Sequence, residues 1–212
     1  PLLVVLIWFD LGFVNTRYFT KDNYKRKREN SFSQPTAADQ EILKDKGYYR
    51  VYNIQNPMAE ARTSFFHNSL GGYHGAKLRR YQDLYDSVIS KNTQQLFEDF
   101  QKGVPRFETY NALNLLNAKY FVYGPDKENV ILNPNAYGNA WFVKEVMPVK
   151  SPAEELMKVG EIRTKEVAVM SSQQSTVDSQ QLAVDSSATI SLADHKPPYL
   201  KYESESSSKG II

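Results

Sequence analysis

The chain has 212 residues, with 26 Lys and Arg against 24 Asp and Glu, and no cysteine. A chain of this length buries roughly 70% of its unfolded surface, so one domain with an appendage can hold a core without metal or disulfide. The near balance of charge argues against a dedicated nucleic-acid binder. The missing cysteines exclude disulfides, thiolate zinc sites and thiol nucleophiles together, and leave the redox compartment open.

The run Pro1-Leu-Leu-Val-Val-Leu-Ile-Trp-Phe9 is wholly apolar. It is too short to cross a bilayer, which takes about 20 residues, and it has no charged head or cleavage site of a signal peptide. Two readings fit it: a buried strand, or the last turns of a transmembrane helix with Trp8 and Phe9 at the interface and Asp10 at the exit to water. Residues 12–35, with the basic run Lys25-Arg-Lys-Arg28, are polar and without period, which predicts an extended connector. Thr36-Ala-Ala-Asp39 is a capping-box variant that opens a helix through about Lys46, closed by Gly47. Tyr48–Ile54 is aromatic and β-branched and predicts a strand, followed by a short helix over 58–67.

From Gly75 the spacing turns helical. Leu78, Tyr81, Tyr85, Val88 and Ile89 form one apolar stripe, and Arg79 can pair with Asp83 one turn later. Further helices are expected at 93–101, with Leu96, Phe97 and Phe100 on one face, and at 108–117. Strands follow at 118–123, 129–132 and 140–147. Ser151-Pro-Ala-Glu154 marks a helix start with Ser at the N-cap and Pro at the first position, and the helix runs to Gly160. A strand at 165–170, a Ser/Gln/Thr-rich loop at 171–187 and strands at 188–193 and 199–204 complete the chain, the last two split by Lys196-Pro-Pro198. The expected class is α+β, with mixed helices and mainly antiparallel strands.

The stretch Ser69–Asp86, SLGGYHGAKLRRYQDLYD, crowds three glycines, a histidine and three cations into the approach to a helix. It is not a phosphate loop, because Gly-Lys-Ser/Thr is absent, and it is no dinucleotide fingerprint. Two readings stand. In one, Tyr73, His74, Lys77 and Arg80 face a ligand, with exposed backbone N–H groups and cations beside an anion. In the other, the stretch is a structural joint, its glycines steric and its arginine tied to an acid. The histidines at 67, 74 and 195 have no metal-ligand spacing, and each reads most simply as hydrogen-bonded to its surroundings. No nucleophile elbow occurs. A hydrolase built on His67 or His74 with Asp83 is the weakest of the readings. No catalytic residue, metal or cofactor is assigned.

In the order DLGFVNTRYFT, SLGGYHGAKLRRYQDLYD, LNLLNAKYFVYG and NPNAYGNAWFVKEV, the chain resembles the YfhO family of bacterial polytopic membrane proteins, closely over 8–148 and loosely over 149–212. The resemblance implies an extracytoplasmic region that follows a bundle of transmembrane helices. It implies a parent protein similar to a GT-C-type glycosyltransferase, which uses a lipid-linked sugar and decorates cell-envelope polymers. The catalytic carboxylate of such proteins lies outside these residues. The implied organisation is the end of a transmembrane helix at 1–11, a connector at 12–35, an α+β domain at 36–170, a loop at 171–187 and a β-rich segment at 188–212. The implied partners are the protein's own transmembrane bundle and an envelope glycopolymer or lipid-linked sugar, with no nucleic acid. The expected function is a non-catalytic accessory domain on the outer side of the bacterial cytoplasmic membrane. The alternative is an envelope or carbohydrate-binding module.

Overall fold

The computed structural model describes residues 2–24, 32, 34–171, 187–196, 199–208 and 210–212. The basic run at 25–28, nearly all of the loop expected at 171–187, and the Pro-Pro pair at 197–198 lie outside the described residues. The chain divides into two units, Pro1–Thr36 and Ala37–Ile212.

The first unit is dominated by α1 (Leu2–Tyr18). The strand reading of the apolar start is thereby overturned, and so is the extended connector as far as Tyr18. Leu11, Phe13 and Val14 carry the apolar surface past Asp10, and no proline or helix-stop glycine motif interrupts the backbone ladder. None of its residues is buried. A short 3₁₀ turn at Lys21–Asn23 follows, capped reciprocally by Thr20 and Asn23.

The second unit is α+β. Its central sheet has the order β1-β2-β3, built from β1 (Arg50–Asn53), β2 (Ala118–Val122) and β3 (Val130–Leu132). β1 runs parallel to β2, and β3 antiparallel to it. Alternation along the strands gives the sheet two apolar faces. Tyr52 and Phe121 face one core, shared with Leu70, Val88, Ile89, Leu96, Tyr110 and Leu113. Val51 faces the other, with Ile42 of α2 (Ala37–Ile42), Tyr49, Tyr120 and Val122. Helix α2 stops four residues short of the expected Lys46, because the Tyr49 hydroxyl donates to the Ile42 carbonyl at 2.8 Å and takes up a terminal acceptor.

The crossover between β1 and β2 carries α3 (Arg62–Phe66), shorter than the 58–67 expected. It also carries α4 (Arg79–Leu84), a π-helical turn at Tyr85–Ile89 and α5 (Ser90–Gln101), which form one continuous helix over 79–101. The π turn widens the apolar stripe so that Val88 and Ile89 are both buried. Two expected members of that helix's core face are exposed. Leu78 is 78% exposed because it sits at the N-cap in an extended conformation, ahead of the first turn. Phe97 is 41% exposed because Asn92, Leu96 and Asp99 take the inward positions instead.

Those polar residues hold the next element. Asn92 accepts a hydrogen bond from the backbone of Ala112 at 2.9 Å. Asp99 receives the Tyr110 hydroxyl at 2.9 Å and two bonds from Arg106 at 3.0 and 3.2 Å. Arg106 therefore holds the Asp99 carboxyl below its ordinary range. Tyr110 must leave helical geometry to reach Asp99, with φ −85° and ψ 57°, and so the helix expected over 108–117 splits. A 3₁₀ turn at Phe107–Thr109 precedes α6 (Asn111–Leu115).

Beyond the central sheet, β4 (Glu145–Val149), α7 (Pro152–Glu161) and β5 (Val167–Ser171) form a parallel strand–helix–strand unit. Residues 140–144 of the expected strand carry only an isolated bridge, from Val143 to Ile211. Helix α7 opens as its sequence predicts, with Ser151 Oγ accepting from the backbone of Glu154 at 3.2 Å. β6 (Thr189–Lys196) and β7 (Tyr199–Glu205) pair antiparallel.

Candidate ligand cleft

The segment Asn68–Leu70 runs beside β1. Val51 donates to the Asn68 carbonyl at 2.9 Å, and Leu70 donates back to the Val51 carbonyl at 3.0 Å. The chain then passes under Pro57 so closely that a Cβ on Gly71 would stand 1.6 Å from the Pro57 carbonyl oxygen. Gly72 follows with φ +121°, a conformation that side chains disfavour. Its N–H donates to the same Pro57 carbonyl at 2.8 Å. Downstream, the Tyr81 hydroxyl donates to the Leu70 carbonyl and ties the first turn of α4 back to the loop. Gly71, Gly72 and Tyr81 therefore form a joint. Gly75 differs, since nothing lies within 4 Å of a Cβ placed there.

On one side of this joint is a cleft of about 430 Å³. His74 and Lys77 line it, together with Arg50 from β1, Met58, Leu78 and Tyr81. No carboxylate is among its described lining residues. Arg50 spends one guanidinium N–H on the Leu116 carbonyl at 3.4 Å, and Lys77 makes a 3.5 Å contact with the Met58 carbonyl. Neither forms an ion pair with a described acid, and the His74 ring has no hydrogen-bond partner among the described residues. Burial pushes the Tyr81 phenol upward in pKa, and the positive charge of Arg50 pulls against that rise.

The four residues expected to face a ligand are thus divided. His74 and Lys77 share the cleft. Arg80 lies in a separate recess of about 310 Å³ against α7, near Asp83 and Glu155. Tyr73 is 73% exposed and lines neither. Arg79 forms the expected pair with Asp83 at 2.9 Å, on the surface. Arg50 was missed by sequence reasoning. Its one local signal is a lone cation inside an aromatic strand, Tyr-Tyr-Arg-Val-Tyr, and only the loop crossing β1 gives that cation company.

Of the three histidines, only His67 has the expected hydrogen bond among the described residues, and His195 is exposed. The His67 side chain is 2% exposed, and its Nε2 lies 3.1 Å from Asp39, which also receives Arg62 at 2.9 Å. Desolvation pushes the His67 imidazole below its ordinary range, against the opposing pull of Asp39. His195 lies against the Tyr48 ring, with centroids 5.1 Å apart. Among the described residues no group of three or more His, Asp or Glu could hold a metal ion. A further cavity of about 440 Å³ lies beside β4, β5 and α7 and is lined mainly by Trp141, Val143, Val159 and Val167.

No protein-family model, curated protein or solved structure matches this chain. The geometry of the cleft and of α1 carries the functional reading.

Proposed function

We propose that this chain is a non-catalytic accessory domain of a larger membrane protein, on the extracytoplasmic side of the bacterial cytoplasmic membrane. The observation that carries the reading is α1. Its first eight residues are apolar on every side of the helix, and Leu2, Leu3, Val4 and Trp8 are each at least 68% exposed. A helix apolar all round is stable when it is surrounded by apolar material, either lipid or other helices. At 17 residues it extends about 25 Å. No helix of the described residues is long and apolar enough to cross a membrane. In this reading α1 sits in the apolar phase at one face of the membrane, against lipid or the protein's own transmembrane bundle. The resemblance to the YfhO family supports a parent protein of glycosyltransferase type acting on envelope polymers. The second reading, an envelope or carbohydrate-binding module, is favoured by the cation-lined cleft.

Trp8 reports directly on the membrane reading. The chain has two tryptophans, so Trp141→Phe leaves Trp8 as the single tryptophan, which excitation at the red edge of the absorption band selects over the tyrosines. Adding phosphatidylglycerol-containing vesicles to this variant, diluted from detergent, is expected to shift its emission to shorter wavelength and make the chain float with the vesicles. Replacing Leu6 and Ile7 by Glu is expected to abolish both effects. A detergent-free monomer whose Trp8 emission ignores vesicles would overturn the proposal.

A further inference from the structure

The cleft at the joint collects positive charge that no described carboxylate answers. Overall the chain is nearly neutral, with 26 cations against 24 anions, and most cations of the second unit for which a contact is given lie beside carboxylates. Arg50 and Lys77 instead converge, beside the His74 ring, on one concavity that no described Asp or Glu lines. Arg50 and Lys77 are half-buried, which strengthens their field relative to cations standing in water. Most of the guanidinium donors of Arg50 have no acceptor among the described residues, and the cleft's Lys77 contact is long at 3.5 Å. At about 430 Å³ the cleft is within the range of small-molecule sites, roughly 300–1,000 Å³.

From this convergence we infer that the cleft binds an oxyanion, a phosphoryl or carboxylate group of a small molecule or polymer unit, held by Arg50 and Lys77 with His74 at the rim. A planar guanidinium offers paired N–H donors to two oxygens of one such group, and an ammonium adds a point charge from a second direction. The joint supplies the rigidity. Gly71 and Gly72 lock the loop onto Pro57, and the Tyr81–Leu70 bond fixes the far side, so the backbone walls of the cleft are set before the ligand arrives. The inference is independent of the membrane reading, because it uses only residues of the second unit.

The test is isothermal titration of the full chain in detergent, at constant ionic strength, with inorganic phosphate, glucose 1-phosphate, glucuronate and neutral glucose. Saturable binding of at least one anion and none of glucose is expected. Phosphate-only or glucuronate-only binding leaves the inference standing and names the group. Lys77→Gln and Arg50→Gln are each expected to weaken binding about tenfold, close to the loss of one charge-assisted hydrogen bond. Arg80→Gln, in the neighbouring recess, is expected to leave it unchanged. Arg50 also holds the Leu116 carbonyl, so Lys77→Gln decides the matter if Arg50→Gln unfolds. Absence of saturable binding by every anion, equal binding of glucose, or affinity unmoved by Lys77→Gln would overturn the inference. Vesicle flotation of Lys77→Gln should match that of the unaltered chain, which separates a failure here from a failure of the membrane proposal.

Discussion

Replacing Gly71 with alanine tests the joint on which the cleft depends. The added methyl would stand 1.6 Å from the Pro57 carbonyl oxygen and 2.7 Å from its carbon. Both are backbone atoms, so no side chain can swing aside to make room. Restoring ordinary contact, at about 3.5 Å, requires the two segments to part by roughly 2 Å. That separation breaks the 2.8 Å bond from Gly72 to Pro57 and strains the 3.1 Å bond from Tyr73 to the Glu60 carbonyl. Overpacking costs about 1–3 kcal/mol, and a lost hydrogen bond adds about 1 kcal/mol. The sum, about 2–4 kcal/mol, lowers the melting temperature of a domain this size by roughly 5–15 °C. Gly75→Ala is the matched control. It meets nothing within 4 Å and is not in the left-handed region, so it should stay within about 0.5 kcal/mol of the unaltered chain. Thermal unfolding followed by circular dichroism compares the two. Equal melting temperatures for Gly71→Ala and Gly75→Ala would refute the close approach at Pro57 and, with it, the rigidity ascribed to the cleft.

Tyr52→Phe removes a buried hydroxyl that lies 2.7 Å from Thr93 Oγ1, and Thr93 keeps its 2.8 Å bond to the Ile89 carbonyl. A loss of about 0.5–1.5 kcal/mol by denaturant titration is expected, and a larger one would mean that Thr93 is left unsatisfied. His67 gives a pH dependence whose sign follows from its burial. Because its folded pKa is depressed, the unfolded chain binds the proton first as pH falls, so stability is full above about 6.5 and is lost progressively below it. Melting temperatures measured from neutral to mildly acid pH should decline in the unaltered chain and decline less in His67→Gln. Identical slopes would show that His67 is not the group responsible.

Much of the local structure is legible in the sequence because its causes are local. The stripe from Tyr81 to Ile89, the Ser151-Pro-Ala-Glu154 start of α7 and the aromatic strands at β1 and β2 are each set by periodicity, capping or side-chain shape within a few residues. Composition alone likewise removes thiol chemistry. The tertiary structure decided everything that depends on distant segments meeting. Leu78 has the spacing of a core residue but sits ahead of the first helical turn, where no neighbour covers it. Asn92 and Asp99 look like surface positions, yet they are buried because Ala112, Arg106 and Tyr110 supply their partners. The parallel pairings of β1 with β2 and of β4 with β5 leave no mark on the strands themselves, since they arise from the helices that cross between them. The cleft follows the same rule. His74 and Lys77 are visible in one short motif, whereas Arg50 joins them from 24 residues before His74 because the loop after α3 folds back along β1. Glycine at 71 can be read as permissive from sequence. That it is sterically required follows only from the position of the Pro57 backbone.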